Sequence, residues 1–136
     1  ANGLYNPKTN RMTIKDFNGS EVSDKDLERT LFHELLHSLQ THNEDAKLNL
    51  EIEAHVAVYR YAVRKGVSLA DGKYGMMMLL SGTMDSKYNI TDTDSYNDFY
   101  QRAINAFKEI DFYKDFKESP SARNMNTNKN LAKDCE

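Results

Sequence analysis

Residues 30–62, TLFHELLHSLQTHNEDAKLNLEIEAHVAVYRYA, decide the fold, because a helical rhythm runs on either side of a short polar break. Upstream, Leu27, Leu31, Leu35 and Leu39 recur every fourth residue, and Ser23 opens the segment SDKD as an N-cap serine with an acidic residue three positions on. A first helix is therefore expected from about Asp24 to about Thr41. The stretch His42-Asn43-Glu44-Asp45 breaks it. Downstream, Leu48, Ile52, Val56, Tyr59 and Val63 predict a second helix from about Lys47. It stops at Gly66, a residue suited to a left-handed C-terminus, after the basic pair Arg64-Lys65. If the break turns the chain back, the two helices form an αα-hairpin.

Working outward, Leu4 and Tyr5, a turn through Asn6-Pro7-Lys8-Thr9-Asn10, and Met12-Thr13-Ile14 in period two predict a small N-terminal hairpin. Asn18-Gly19 predicts a further turn. Between Asp71 and Asp94 the unbranched run MMMLLS, bracketed by glycines, is read as helix. A long last helix is expected from near Ser95, with Tyr96, Phe99, Tyr100, Ala103, Phe107 and Ile110 on one face. Phe112 and Phe116 continue it past a bend, and it ends before Pro120. The Asn-rich tail, about 119–136, has too little apolar surface to order itself without docking and is expected to be loosely ordered. The expected fold class is α+β, mostly α: a short N-terminal β segment, an αα-hairpin and a long C-terminal helix, in one domain over residues 1–136.

Composition narrows the function classes. A hydrophobic share of 39% and a charged share of 29% are those of a globular protein. No apolar run approaches the roughly 20 residues a membrane helix needs. The formal charge of -3, with both signs mixed along the chain, gives no basic stripe for phosphate backbones. Neither nucleic acid nor membrane is an expected partner. The single cysteine, Cys135, leaves no internal disulfide and no thiolate cluster, so any metal site must use His and carboxylate. The lack of disulfides mildly favours a reducing compartment. The opening ANGLYNPKTN has neither a charged start nor an apolar core, so it is not read as a signal peptide, and the domain is expected to be excised from something longer.

His33 and His37, four apart on a helix, are separated by about 400° of rotation and about 6 Å of rise, so they point the same way from adjacent turns. Two imidazoles can then chelate one ion. Glu34 lies about 100° further round, able to face a water on the metal but badly placed to bind the metal itself. The pattern alone arises by chance in on the order of one chain in a hundred. In a hairpin, residues equidistant from the turn lie level: His37 stands seven residues before Glu44, and Glu51 seven after. Glu51 shares a face with His55, Val58 and Ala62, whereas Glu53 shares one with Ala57, Arg60 and Arg64. Glu51 is therefore the preferred third ligand. Glu53 is read as a solvated partner of Arg60, with alternate ligation as its other role. His42, near a helix C-terminus, is read as a dipole partner, and Met76 to Met78 as core.

The sequence His33-Glu34-Leu35-Leu36-His37 followed by Glu51-Ile52-Glu53-Ala54 resembles the gluzincin branch of the zincin metallopeptidases, over roughly Asp24 to Gly66. The resemblance implies a zincin-like domain with the metal site on the αα-hairpin. In it His33, His37 and Glu51 are ligands to Zn2+, and Glu34 is the catalytic base. It departs from that pattern at His55, where such families usually carry Asp or Asn, and in the small sheet before the first helix. More loosely the chain is similar to zincin-like domains of bacterial secreted and polymorphic-toxin proteins, which implies a secreted or delivered protein. A metzincin would need glycine at position 40 and histidine at position 43, where this chain has Gln40 and Asn43. A di-iron carboxylate site would need a second E-x-x-H, and Glu51 to His55 is one residue too long.

The implied function is a zinc-dependent metallopeptidase acting on a protein or peptide substrate. Three protein ligands leave a fourth position for water, whose pKa the metal lowers to about 7, and Glu34 takes its proton. For the oxyanion donor His55 is the first candidate and Tyr59 or Tyr88 the next; His55 serves equally well as an outer partner of the ligands. The alternative is a metal-binding zincin-like domain without peptidase activity, acting as a binding module or toxin component.

Overall fold

The computed structural model describes residues 3–14, 24–66 and 73–134. The proposed Ser23 cap and the Asn18-Gly19 turn lie outside them. The architecture is mostly helical with a small N-terminal sheet, as the sequence leads one to expect. Strands β1 (Gly3–Asn6) and β2 (Arg11–Ile14) pair antiparallel with Tyr5 opposite Met12. Their turn is held by the Asn6 side chain, which accepts from the backbone N–H groups of Lys8 and Thr9, and by Asn10 in the left-handed region at φ 51°.

The helical hairpin follows. Helix α1 (Asp24–Leu39) ends two residues before the expected boundary, and Asn43 caps a single 3-10 turn (Glu44–Ala46) that leads straight into α2 (Lys47–Lys65). Gly66 closes α2 at φ 66°, its N–H reaching back to the carbonyls of Ala62 and Val63. Helix α2 is the axis of the molecule, packed against α1, against α3 (Lys73–Ser81), against α4 (Thr93–Lys108) and against α5 (Asn126–Asp134). Every residue from Ile52 to Val58 is buried. The main core gathers Leu48, Ile52 and Val56 of α2, Met77 and Leu80 of α3, and Tyr96, Tyr100 and Phe107 of α4. Among the described residues no helix is long and apolar enough to cross a membrane.

Three expectations change. The leucine rhythm of α1 does not face the core: Leu27, Leu31, Leu35 and Leu39 are all exposed, Leu39 by 58%. The inward face instead carries Leu36 with Glu34, Gln40 and the two histidines, because this face builds the site rather than the core. Next, α4 stops at Lys108 rather than running on to Phe116. Successive tight turns replace it, with Tyr113 N–H bonded to Ile110 and Phe116 N–H to Tyr113. Phe112, Tyr113 and Phe116 pack on one another at 5.0–5.6 Å between ring centres, and Tyr113 packs on Phe107 at 5.1 Å. That aromatic packing turns the chain out of the helix.

The tail, finally, docks. Asn49 of α2 accepts from Ser119 N–H at 2.8 Å and donates to the Ser119 carbonyl at 3.0 Å and to the Tyr100 hydroxyl at 2.8 Å. Met125 and Asn128 are buried, and the Asn128 amide donates to the Glu53 carbonyl at 3.0 Å. Docking of this kind supplies the apolar surface that the tail lacks by itself.

Candidate metal centre

Helix α1 presents His33 and His37 inward from consecutive turns, their rings 4.6 Å apart and nearly perpendicular. Across the hairpin, Glu51 divides its carboxylate between them: one oxygen is 3.3 Å from His33 Nε2 and the other 3.3 Å from His37 Nε2. The two Nε2 atoms are 3.0 Å apart. Donors bound at about 2.0–2.1 Å on a tetrahedral ion stand about 3.3 Å from one another, so these separations fit one small cation. The equidistance of His37 and Glu51 from the turn is thus realised in space. One turn beyond Glu51, His55 brings its ring to 4.5 Å from that of His33. His33, Glu51 and His55 offer donor atoms that all lie within 4.8 Å of one another, a His–Glu–His group able to hold a metal ion.

A polar relay sets the tautomer of His37. The Gln40 amide donates to the Leu50 carbonyl at 3.0 Å, which fixes the orientation of the amide. Its oxygen must then face His37 and accept from Nδ1–H at 2.7 Å. With Nδ1 held by Gln40, Nε2 is the nitrogen turned to Glu51 and His33: protonated it donates to Glu51, and deprotonated it offers the lone pair a metal needs.

Charge is shared closely here. Burial pushes the Glu51 carboxyl up, but hydrogen bonds and charge from His33 and His37 outweigh it and hold the group well below the usual carboxylate range. Burial opposes protonation of His37, yet the Glu51 hydrogen bond and charge, with Gln40 and Glu34, raise it. Glu34 is raised: burial is the main cause, the charge of Glu51 adds to it, and the two histidines and the Tyr5 N–H act against it. Glu34 is only 5% exposed because β1 lies on it. A Cβ at Gly3 would stand 2.7 Å from Glu34 Cγ, so only glycine permits this approach. Since Tyr5 N–H points to Glu34, Gly3 and Tyr5 turn their backbone groups away from β2 and toward the site.

These groups line a cleft of about 430 Å³. Its far wall is aromatic, made by Phe112, Tyr113 and Phe116. Tyr113 is hydrogen-bonded to Glu51; burial, and then the charges of Glu51 and Glu34, push its phenol far up. Nothing in the sequence singles out Tyr113, because the aromatic run from Phe112 to Phe116 reads as a continuing helix. Gln40 carried a faint signal, three residues after His37 on the same helix.

Other candidates lie elsewhere. Glu53 is neither solvated nor paired with Arg60: it is 7% exposed and hydrogen-bonded by Thr127 and by the backbone of Thr127 and Asn128, at the start of α5. Burial nonetheless dominates and raises it. Arg60 instead donates to the Asp85 carbonyl and lies 3.9 Å over the Tyr88 ring. Tyr88 and Tyr59 belong to the core and its margin. His42 reaches Glu44 at 2.6 Å, at the rim of the cleft. Met77 is core, while Met78 is exposed. Comparison with protein-family models, with curated proteins and with solved structures finds no match, so the assignment rests on the residues themselves.

Proposed function

We propose that the chain is a zinc-dependent peptide-bond hydrolase of the zincin kind, with His33, His37 and Glu51 holding the metal and Glu34 acting as general base. The observation that carries this reading is the approach of two imidazoles and one carboxylate to 3.0–3.3 Å, with a second, buried carboxylate beside them in one cleft. Imidazole and carboxylate donors at this spacing suit Zn2+.

Zinc, when bound, supplies the Lewis acidity that makes water nucleophilic near neutral pH and polarises the carbonyl under attack. Glu34 removes a proton from that water, its buried carboxylate held beside the two histidines under β1. The oxygen bonds to the carbonyl carbon, the C–N bond breaks, and Glu34 passes its proton to the departing nitrogen. Tyr113 stays protonated at neutral pH and offers its hydroxyl to the developing oxyanion. Gly3, Leu4 and Tyr5 of β1 line the cleft, and backbone groups there that Glu34 does not take up can align an extended peptide by main-chain hydrogen bonds. The aromatic wall receives an apolar side chain of that peptide.

Glu34→Gln tests the reading. It should keep stoichiometric zinc by elemental analysis while cleavage of a peptide library falls by about 10²–10⁴. A wild-type protein that carries zinc and cleaves nothing in such a library would instead be a metal-binding module. One that carries no stoichiometric metal would be neither.

A further inference from the structure

We infer that His55 is a displaceable fourth protein donor to the metal, so that the centre alternates between a closed form with four protein ligands and an open form with three. This rests on the reading of the site as a metal centre and adds a residue to it. Glu51 and His55 stand four apart on α2 and therefore project from one face. His55 is 6% exposed, and its ring lies 4.5 Å from that of His33, with Phe107 and Tyr74 packed around it at 5.2 and 6.0 Å. The His33, Glu51 and His55 donors lie within 4.8 Å of one another, and donors on a tetrahedral ion stand about 3.3 Å apart, so side-chain shifts of up to about 1.5 Å close them on a single ion.

With His33, His37 and Glu51 already converging, the addition of His55 completes a tetrahedral set of the kind that structural zinc sites use. Withdrawal of His55 leaves three donors and admits solvent or a substrate carbonyl. His55 thereby sets the fraction of protein ready for hydrolysis, and an incoming carbonyl competes with its ring.

X-ray absorption at the zinc edge, which counts imidazole ligands, tests this on the zinc-loaded full chain without peptide. Averaged over the two forms, the wild type should show more than two and up to three imidazoles and His55→Gln two, with a matching change in the visible spectrum of the Co2+-substituted proteins. Two imidazoles in the wild type would overturn the inference, as would identical counts in both proteins. If His55→Gln fails to fold by circular dichroism, the wild-type count alone decides. The two readings fail separately: absence of stoichiometric zinc removes the metal centre itself, whereas zinc bound through two imidazoles removes only His55.

Discussion

Gln40 shows how much a single amide determines. One end of it is fixed by the Leu50 carbonyl and the other by His37, so the hairpin's backbone dictates which nitrogen of His37 is free. Gln40→Ala should weaken Zn2+ affinity about 10–100-fold, measured by competition with a chelating dye, with the helical circular dichroism unchanged. Gly3 acts on the base rather than on the ligands. In Gly3→Ala the new methyl meets Glu34 Cγ and Oε1 and Thr30 Cγ2 at 2.7–3.0 Å, so β1 or the carboxylate must move. Zinc content should hold while kcat for peptide cleavage falls at least about tenfold, since a displacement near 1 Å at the reacting groups is costly. At this scale the sequence was most legible where spacing encodes direction. His33, Glu34, His37 and Glu51 follow from helix geometry and the symmetry of the hairpin. Gly3 and Tyr113 do not, because a close backbone approach and a turn after a helix leave no periodic trace.

Among the elements, α1 carries the clearest lesson. Its leucines outnumber the apolar residues on its inner face, so hydrophobic periodicity points outward, and the buried face is recognisable only by its chemistry. Helix α2 was legible at both ends, through the polar break His42–Asp45 before it and Gly66 after it. Helix α4 was legible at its start within two residues and not at its end, where ring packing overrides propensity. Its N-cap is Asp92, whose carboxylate accepts from Asp94 N–H, Ser95 N–H and the Ser95 hydroxyl. Hydrogen bonds, first from the Ser95 side chain and then from its backbone, lower the Asp92 pKa. A lowered folded-state pKa contributes stability that is present above the ordinary aspartate value and is lost as pH falls through the folded one. Asp92→Asn keeps an acceptor at the cap, so below about pH 4 its thermal midpoint should fall less steeply than that of the wild type.

For the molecule as a whole, the core and the metal centre meet at Phe107, which packs on His55. Leu48, Ile52 and Val56 pack with α3 and α4 in a core that contains none of the proposed ligands. Chelation should therefore leave the far-ultraviolet spectrum of a folded helical protein. Zinc returned at about a hundredfold its Kd should add about 2.7 kcal/mol of stability, seen as a higher melting temperature. Loss of helix on chelation would show instead that the ion is part of the folding nucleus.

Glu51 and Glu53 lie about 200° apart around α2, one gripped by the histidines of α1 and the other by the first turn of α5. The helix is thereby clamped at opposite sides of its barrel and cannot roll about its own axis without breaking one grip. A change in the C-terminal segment, although remote in sequence, is then a change in the aim of the ligand carboxylate.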